Sequence, residues 1–143
     1  MGCVSDILSE KGHDVLTVDA ATTVLDAVKA MVEGNVGSLV VTDGETLLGI
    51  VTERDYLRRV TLEGRDERTT PVRDIMSAPF VYVAPDASID ECMAIMTERR
   101  LRHLPVLDGD DELVGIVSIG DVVKFHSQEQ GARIRLLTEY ISG

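Results

Sequence analysis

The chain has 143 residues, of which 44% are hydrophobic and 27% charged, and its formal net charge is −11. This length suits a compact domain with a buried core, and no run of about twenty apolar residues predicts a membrane span. The acidic balance argues against nucleic acid as a partner, because phosphate backbones attract clustered Lys and Arg. Cys3 and Cys92 are too few for a disulfide framework or a four-ligand zinc site. The first residues lack the features of a secretion signal, so a cytoplasmic protein without membrane contact is expected.

The sequence repeats itself along most of its length. Three pairs of segments align: VSDILS (4–9) with VRDIMS (72–77), TTVLDAVKAM (22–31) with ASIDECMAIM (87–96), and LLGIVTERDYL (47–57) with LVGIVSIGDVV (113–123). A charged segment that ends in proline separates the two copies, as expected of a connector. The chain is therefore predicted to contain a first repeat over 4–60, a linker over 61–71, a second repeat over 72–126 and a carboxy-terminal amphipathic helix over 127–143.

Each repeat is predicted to run strand, helix, strand, strand, helix, so the fold class is α/β (α+β). The opening strands are the runs VLTV (15–18) and FVYV (80–83). Each first helix has one apolar face, which is predicted to be buried and includes Val32 in the first repeat and Cys92 in the second. Each also has an N-cap hydroxyl, Thr23 or Ser88. The next two strands are joined by hairpin-like turns, which carry Asp-Gly pairs at 43–44 and 108–109.

The segments GIVTERD (49–55) and GIVSIGD (115–121) share a glycine, two apolar residues, a hydroxyl residue and an aspartate three places later. One interpretation is structural, because a hydroxyl followed three residues later by an acid forms a capping box at a helix start. The other adds a ligand: a helix amino terminus attracts phosphate, and a carboxylate can accept both hydroxyl groups of a ribose. Both interpretations are compatible with the sequence.

The segment ERRLRHLPVLD (98–108) concentrates positive charge in a chain that is otherwise acidic. Its basic residues are Arg99, Arg100, Arg102 and His103. They either balance the dipole at the end of a helix or bind phosphate. The matching part of the first repeat, GNVGSLVV, is uncharged, so the two repeats are not expected to be equivalent.

With VRDIMS, RLRHLPVLD, GIVTERD and GIVSIGD in this order, the chain closely resembles a tandem cystathionine beta-synthase (CBS) domain pair, of the kind found in small stand-alone CBS-domain proteins. The resemblance covers residues 4 to about 126. It implies two CBS motifs packed through their sheets in a pseudo-twofold arrangement, with short helices at both termini. It also implies two clefts for adenosine-containing ligands (AMP, ADP, ATP, NAD(H) or S-adenosylmethionine) and assembly as a homodimer.

The resemblance assigns roles to individual residues. Asp55 with Thr52, and Asp121 with Ser118, would hold the ribose. Phosphate groups would meet Arg54, Arg102, His103 and Arg100. The adenine pocket would be lined by Val36, Gly37, Leu39, Leu101, Leu104, Pro105 and Val106.

The expected function is therefore a non-enzymatic sensor, concerned with cellular energy state, which binds an adenosine nucleotide as a regulatory ligand and uses no catalytic cofactor and no metal. Its expected partners are a second copy of the chain and an unidentified regulated protein. The alternative is a structural dimerisation or scaffold module that binds no nucleotide. Catalysis is disfavoured, because His13, His103 and His126 are scattered and no pairing of nucleophile and base is visible.

Overall fold

The computed structural model describes residues 2–130, with side chains for residues 2–128. The elements of the first part are helix α1 (Val4–Lys11), strand β1 (Thr17–Asp19), helix α2 (Val24–Gly34), strands β2 (Ser38–Asp43) and β3 (Thr46–Thr52), and helix α3 (Glu53–Tyr56), which continues as a π-helical turn (Leu57–Thr61). Those of the second part are a 3-10 turn (Val72–Asp74), helix α4 (Ile89–Arg99), strands β4 (His103–Leu107) and β5 (Leu113–Ser118), and helix α5 (Ile119–Gln130). The mixed α/β class predicted from the sequence is confirmed.

The chain forms two compact units, and the membership of each differs from the repeat boundaries in the sequence. One unit is the continuous stretch Val15–Val81, and the other combines the described residues before position 15 with those from Tyr82 to position 130. Helix α1 therefore belongs with the second repeat, and the 3-10 turn belongs with the first.

In the unit of residues 15–81, β1 pairs with β2 in parallel and β2 pairs with β3 in an antiparallel hairpin. Leu39, Val41 and Val51 lie in its core together with Val24 and Met31 of α2. The predicted linker is packed here, because Thr70 accepts a hydrogen bond of 2.8 Å from the backbone N–H of Val24. The hairpin turn uses Gly44 with a φ of 63°, a conformation that suits glycine.

In the other unit, β4 and β5 form a two-stranded antiparallel hairpin. The predicted opening strand over 80–83 is wrong: only Val83 joins the sheet, as a single parallel bridge to Val106. Prolines at 79 and 85 border this short run, and proline interrupts the regular pairing of a strand. Cys92 is fully buried as predicted, and burial raises the pKa of its thiol to about 11, with a smaller contribution from Glu91.

Two further predictions, on Val32 and on the carboxy-terminal helix, are compared with the structure next. Val32 was assigned to the buried stripe of α2, but it is 74% exposed, because the helical rotation of about 100° per residue places it to the side of the face that Val24, Ala27 and Met31 bury. The predicted carboxy-terminal helix over 127–143 overlaps the end of α5, which runs to Gln130. From residue 131 onward that prediction lies outside the described residues.

Candidate functional site

The first signature segment ends β3 and begins α3. The backbone N–H of Thr52 donates to Asp55 Oδ2 at 2.9 Å, and the Thr52 hydroxyl lies 3.1 Å from the same oxygen. The N–H of Asp55 donates back to Thr52 Oγ1 at 3.2 Å. The predicted capping box is therefore present, and it fixes the carboxylate at a half-buried position where the strand becomes a helix.

The second signature has the same arrangement. Ser118 N–H donates to Asp121 Oδ2 at 2.8 Å, and Asp121 N–H donates to Ser118 Oγ at 3.1 Å. The first N–H of each following helix is also used, since Glu53 donates to the Gly37 carbonyl and Ile119 donates to the Arg102 carbonyl. Much of the hydrogen-bonding capacity of the helix start is thus used internally, which leaves the side-chain cations as the better candidates for phosphate.

The glycine of each signature is explained by close contact. A Cβ atom at Gly49 would lie 2.5 Å from the backbone carbonyl oxygen of Ser77, and one at Gly115 would lie 2.6 Å from Cδ2 of Leu8. Neither distance leaves room for a side chain. The repeated glycine therefore allows a segment from the start of the other repeat to approach the strand: residues 76–77 at Gly49, and helix α1 at Gly115.

The two carboxylates differ in what this neighbouring segment brings to them. Asp55 Oδ1 accepts a hydrogen bond of 3.4 Å from the hydroxyl of Ser77. Asp121 Oδ2 accepts one of 2.7 Å from the ammonium group of Lys11, which also donates to the Ile116 carbonyl at 2.8 Å.

Asp121 has a shifted ionisation as a result. Partial burial by itself would raise the pKa of Asp121, but the hydrogen bond from Lys11, the backbone hydrogen bond from Ser118 and the charge of Lys11 outweigh it. The net effect is a pKa below the ordinary value, so Asp121 is anionic near neutral pH.

Lys11 and Ser77 were not predicted as neighbours of the signature aspartates, although the alignment of the repeats indicates a difference at these positions. Extending the alignment of residues 4–9 with 72–77 by two positions places Lys11 opposite Pro79. The first copy continues as a full helix to Lys11, whereas proline disfavours a helical conformation in the residue before it. The two segments therefore present different side chains to their signature aspartates.

The predicted phosphate ligands lie near the helix starts. Arg54 is on α3 beside Asp55, and His103 begins β4 directly opposite Ser118 in the strand register. Arg102 is exposed, and Arg100 ends α4 in the left-handed conformation with a φ of 57°. These four residues remain predictions as phosphate ligands.

The predicted adenine-pocket residues fall into three groups. Leu39, Leu104 and Val106 are fully buried, and Pro105 is buried with them in the hairpin strands. Leu101 is half-buried. Val36 and Gly37 instead line a cavity of about 470 Å³. Their role at an adenine ring stays a prediction.

That cavity is a groove between α2 and α3, which we call the α2–α3 groove. Its lining is mostly apolar: Val28, Met31, Val32, Asn35, Val36, Gly37, Glu53, Tyr56 and Leu57. Thr52 and Asp55 are not among these residues, so the lining of this groove does not include the signature carboxylate. At its edge Tyr56 donates a hydrogen bond of 2.7 Å to Glu67, and this bond raises the pKa of the phenol.

The described part of the chain contains neither a cluster of metal ligands nor a membrane-spanning helix. No group of three or more His, Cys, Asp and Glu side chains between residues 2 and 130 is placed to hold a metal ion. Within the same part of the chain, no helix has both the length and the apolar character needed to cross a membrane.

Two hairpins, each followed by a capped helix with a half-buried aspartate at its start, define a duplicated structural module. The family comparison is specific: the CBS domain model matches residues 4–61 and 72–127. The chain belongs to the CBS-domain family, and it contains a tandem pair. Such pairs are regulatory modules that generally bind adenosine-containing ligands.

Relatives and solved structures agree with this assignment. The CBS domain-containing protein CBSX3, mitochondrial, from Arabidopsis thaliana is 40% identical over 98% of this chain and 72% of its own length. A protein with CBS domains from Burkholderia ambifaria is 48% identical, with a TM-score of 0.86 over 90% of this chain and 96% of that one. A hexameric CBS-CP12 protein from bloom-forming cyanobacteria is 32% identical, with a TM-score of 0.76 over 85% of this chain and 66% of that one.

Proposed function

We propose that this protein is a non-enzymatic sensor that binds an adenosine-containing ligand through Asp55 and Asp121. AMP is the first candidate, and ADP, ATP, NAD(H) and S-adenosylmethionine are the others. Ligand binding favours one arrangement of the protein, and a regulated partner responds to that arrangement.

The observation that carries this proposal is the position of the two signature carboxylates. Each is half-buried and held by a backbone N–H, at 2.9 Å in the first repeat and 2.8 Å in the second. A fixed and partly desolvated carboxylate is a strong acceptor for the adjacent hydroxyl groups of a ribose, because charged acceptors form the stronger hydrogen bonds. A capping role alone would be served as well by a fully exposed acid.

The charge around the signatures supports a nucleotide rather than a bare nucleoside. Arg54 adjoins Asp55, and His103 pairs in register with Ser118, directly after Arg102. Arg and His donate hydrogen bonds to phosphate oxygens, and this chain of net charge −11 would otherwise repel an anion.

Isothermal titration tests the proposal. Protein freed of copurified small molecules is titrated with AMP, ATP, NADH and S-adenosylmethionine, and we expect at least one to bind. Loss of a charge-assisted ribose contact in Asp55→Asn should weaken binding at that repeat about ten- to a hundredfold, which corresponds to about 1.5–3 kcal/mol. No heat and no thermal shift with any of the four would overturn the proposal.

Asp6→Asn is the matched control. Asp6 accepts a hydrogen bond of 3.0 Å from the Cys3 N–H at the start of α1, so it has the same capping geometry outside both signatures. Its replacement should cost helix stability as Asp55→Asn does, but it should leave the affinity unchanged. Equal losses of affinity in the two variants would show a general effect of weakened caps.

We further propose that the protein acts as a homodimer in which the α2–α3 groove contacts the second copy. Val32 and Leu57 line this groove and are 74% and 57% exposed. Burial of such apolar side chains stabilises an interface. Light scattering at increasing concentration should show a dimer, and Val32→Glu should shift it to monomer; a wild-type monomer at all concentrations would contradict the assignment.

The same groove favours the second candidate function, a structural dimerisation or scaffold module. This candidate predicts a stable assembly without any response to nucleotide. Light scattering with and without a ligand found by titration separates the two functions.

The cytoplasm is the proposed compartment, whereas the Arabidopsis relative carries the word mitochondrial in its name. Fractionation of the source cells, followed by immunoblotting, would settle the compartment.

A further inference from the structure

Lys11 occupies the carboxylate that would hold a ribose in the second repeat. Its ammonium group lies 2.7 Å from Asp121 Oδ2, and the side chains of Lys11 and Asp121 are 35% and 24% exposed. Both belong to the same compact unit, in which α1 packs against β5 and α5. The contact is therefore built into the unit.

The contact has consequences for a ribose ligand. Asp121 Oδ2 already accepts the Ser118 N–H as well as the Lys11 ammonium. A ribose that presents one hydroxyl group to each carboxylate oxygen competes with the ammonium group at Oδ2, because that oxygen has only two lone pairs and both already accept hydrogen bonds. Ribose binding there requires that Lys11 give up a charge-assisted hydrogen bond. Displacing a neutral hydroxyl group from the carboxylate would cost less free energy, because hydrogen bonds between neutral donors and carboxylates are weaker than those from an ammonium group.

At the first signature the additional partner of the carboxylate is neutral. Ser77 donates to Asp55 Oδ1 at 3.4 Å, which is a long hydrogen bond between a hydroxyl and the signature carboxylate. The position aligned with Lys11 is Pro79, which has neither charge nor donor. Lys11, which lies outside both signatures, thus contacts one signature carboxylate, and the aligned Pro79 cannot form the same contact at the other.

We infer that Lys11 is an internal competitor for the ribose, so that it sets a lower affinity for adenosine ligands in the second repeat than in the first. This inference rests on the proposed function, since it concerns the same signature carboxylates. Helix α1 stays in place when the ligand binds, because Val4, Ile7 and Leu8 are buried and only the end of the lysine side chain has to move.

The test isolates the second repeat and uses adenosine, which has the ribose but no phosphate. In an Asp55→Asn background, Lys11→Met should raise the affinity for adenosine about three- to fivefold, the factor expected for a partly exposed ion pair of up to about 1 kcal/mol. Lys11→Arg retains a cation beside Asp121 and should leave the affinity low. Lys29→Met, an exposed lysine on α2, matches the change in net charge and should have no effect.

Each other outcome is decisive. Weaker AMP binding with unchanged adenosine binding in Lys11→Met would make the lysine a phosphate ligand and overturn the inference. The inference would also be overturned if Lys11→Met left the binding of both ligands unchanged, or if no Asp55→Asn variant bound adenosine. In either case, ligand binding by the wild-type protein would leave the proposed function intact. Absence of binding in the wild type and in all variants would overturn both. Thermal unfolding of each variant identifies any that fail to fold, and Lys11→Gln then replaces Lys11→Met.

Discussion

The two repeats have nearly the same backbone at their signatures but different chemistry at their carboxylates. In both, a hydroxyl residue ends a strand and an aspartate three positions later accepts its N–H. Asp55 then meets the Ser77 hydroxyl, whereas Asp121 meets the Lys11 ammonium. The difference arises in the segment that packs beside each signature, which is the helix α1 in the second repeat and a 3-10 turn with the residues after it in the first. Similarity within a signature therefore does not establish that two copies bind alike.

The largest expected effects concern the hydrophobic cores of the two repeats, which can be compared through one buried leucine in each. Leu39 lies opposite Val51, and Leu104 lies opposite Val117, and both leucines are fully buried. Leu39→Ala and Leu104→Ala should each lower the free energy of unfolding by about 2–5 kcal/mol, because each leaves a cavity. Urea denaturation measures this. A cost below about 1 kcal/mol in one variant would show that its repeat is packed more loosely.

Substitution of the signature glycines should lower the free energy of unfolding by a smaller amount, and by different amounts in the two repeats. An alanine at Gly49 would press on a backbone oxygen, whereas one at Gly115 would press on the tip of the Leu8 side chain. A side-chain tip can rotate away more readily than a main-chain carbonyl can. We expect Gly49→Ala to destabilise by about 2–3 kcal/mol and Gly115→Ala by about 1 kcal/mol. Chemical denaturation of the two variants side by side checks the order, which a larger loss in Gly115→Ala would reverse.

The smallest expected difference concerns pH. Since the pKa of Asp121 is below its ordinary value in the folded protein, its ion pair stabilises the fold above the unfolded pKa of about 4 and loses that contribution as pH falls through the folded pKa. Lys11→Met should therefore cost up to about 1 kcal/mol at pH 7 and progressively less in acid. Urea midpoints between pH 7 and pH 2.5 follow this change. A cost that stays constant over this range would mean that packing of the lysine stem, rather than charge, is responsible.

Much of the fold follows from local patterns. Both signature capping boxes, the hairpins and the burial of Cys92 are set by short-range spacing, which a sequence shows directly. The strand over 80–83 could not be excluded from composition, because β-branched and aromatic residues suit a strand even where neighbouring prolines leave only Val83 paired. Val32 shows the same limit, since helical spacing places it at the edge of an apolar face without showing how wide the buried part of that face is.

The site was less accessible to sequence reasoning, because it depends on contacts between distant segments. Thr52, Asp55, Ser118 and Asp121 were identified by their spacing, but Lys11 reaches Asp121 only through the packing of α1 beside α5. The residues proposed for adenine also include buried leucines such as Leu39, whose burial a strand pattern alone does not distinguish from a place in a cleft.

The different membership of the two compact units has a consequence for synthesis of the chain. Ser77 and Asp55 are 22 positions apart, whereas Lys11 and Asp121 are 110 positions apart. Closing the longer loop costs about 1.4 kcal/mol more in chain entropy, if the cost grows with the logarithm of loop length. Residues 15–81 leave the ribosome as one uninterrupted stretch that contains all its own segments. Helix α1 is made first, yet it must wait for almost the whole chain before Lys11 can meet its carboxylate.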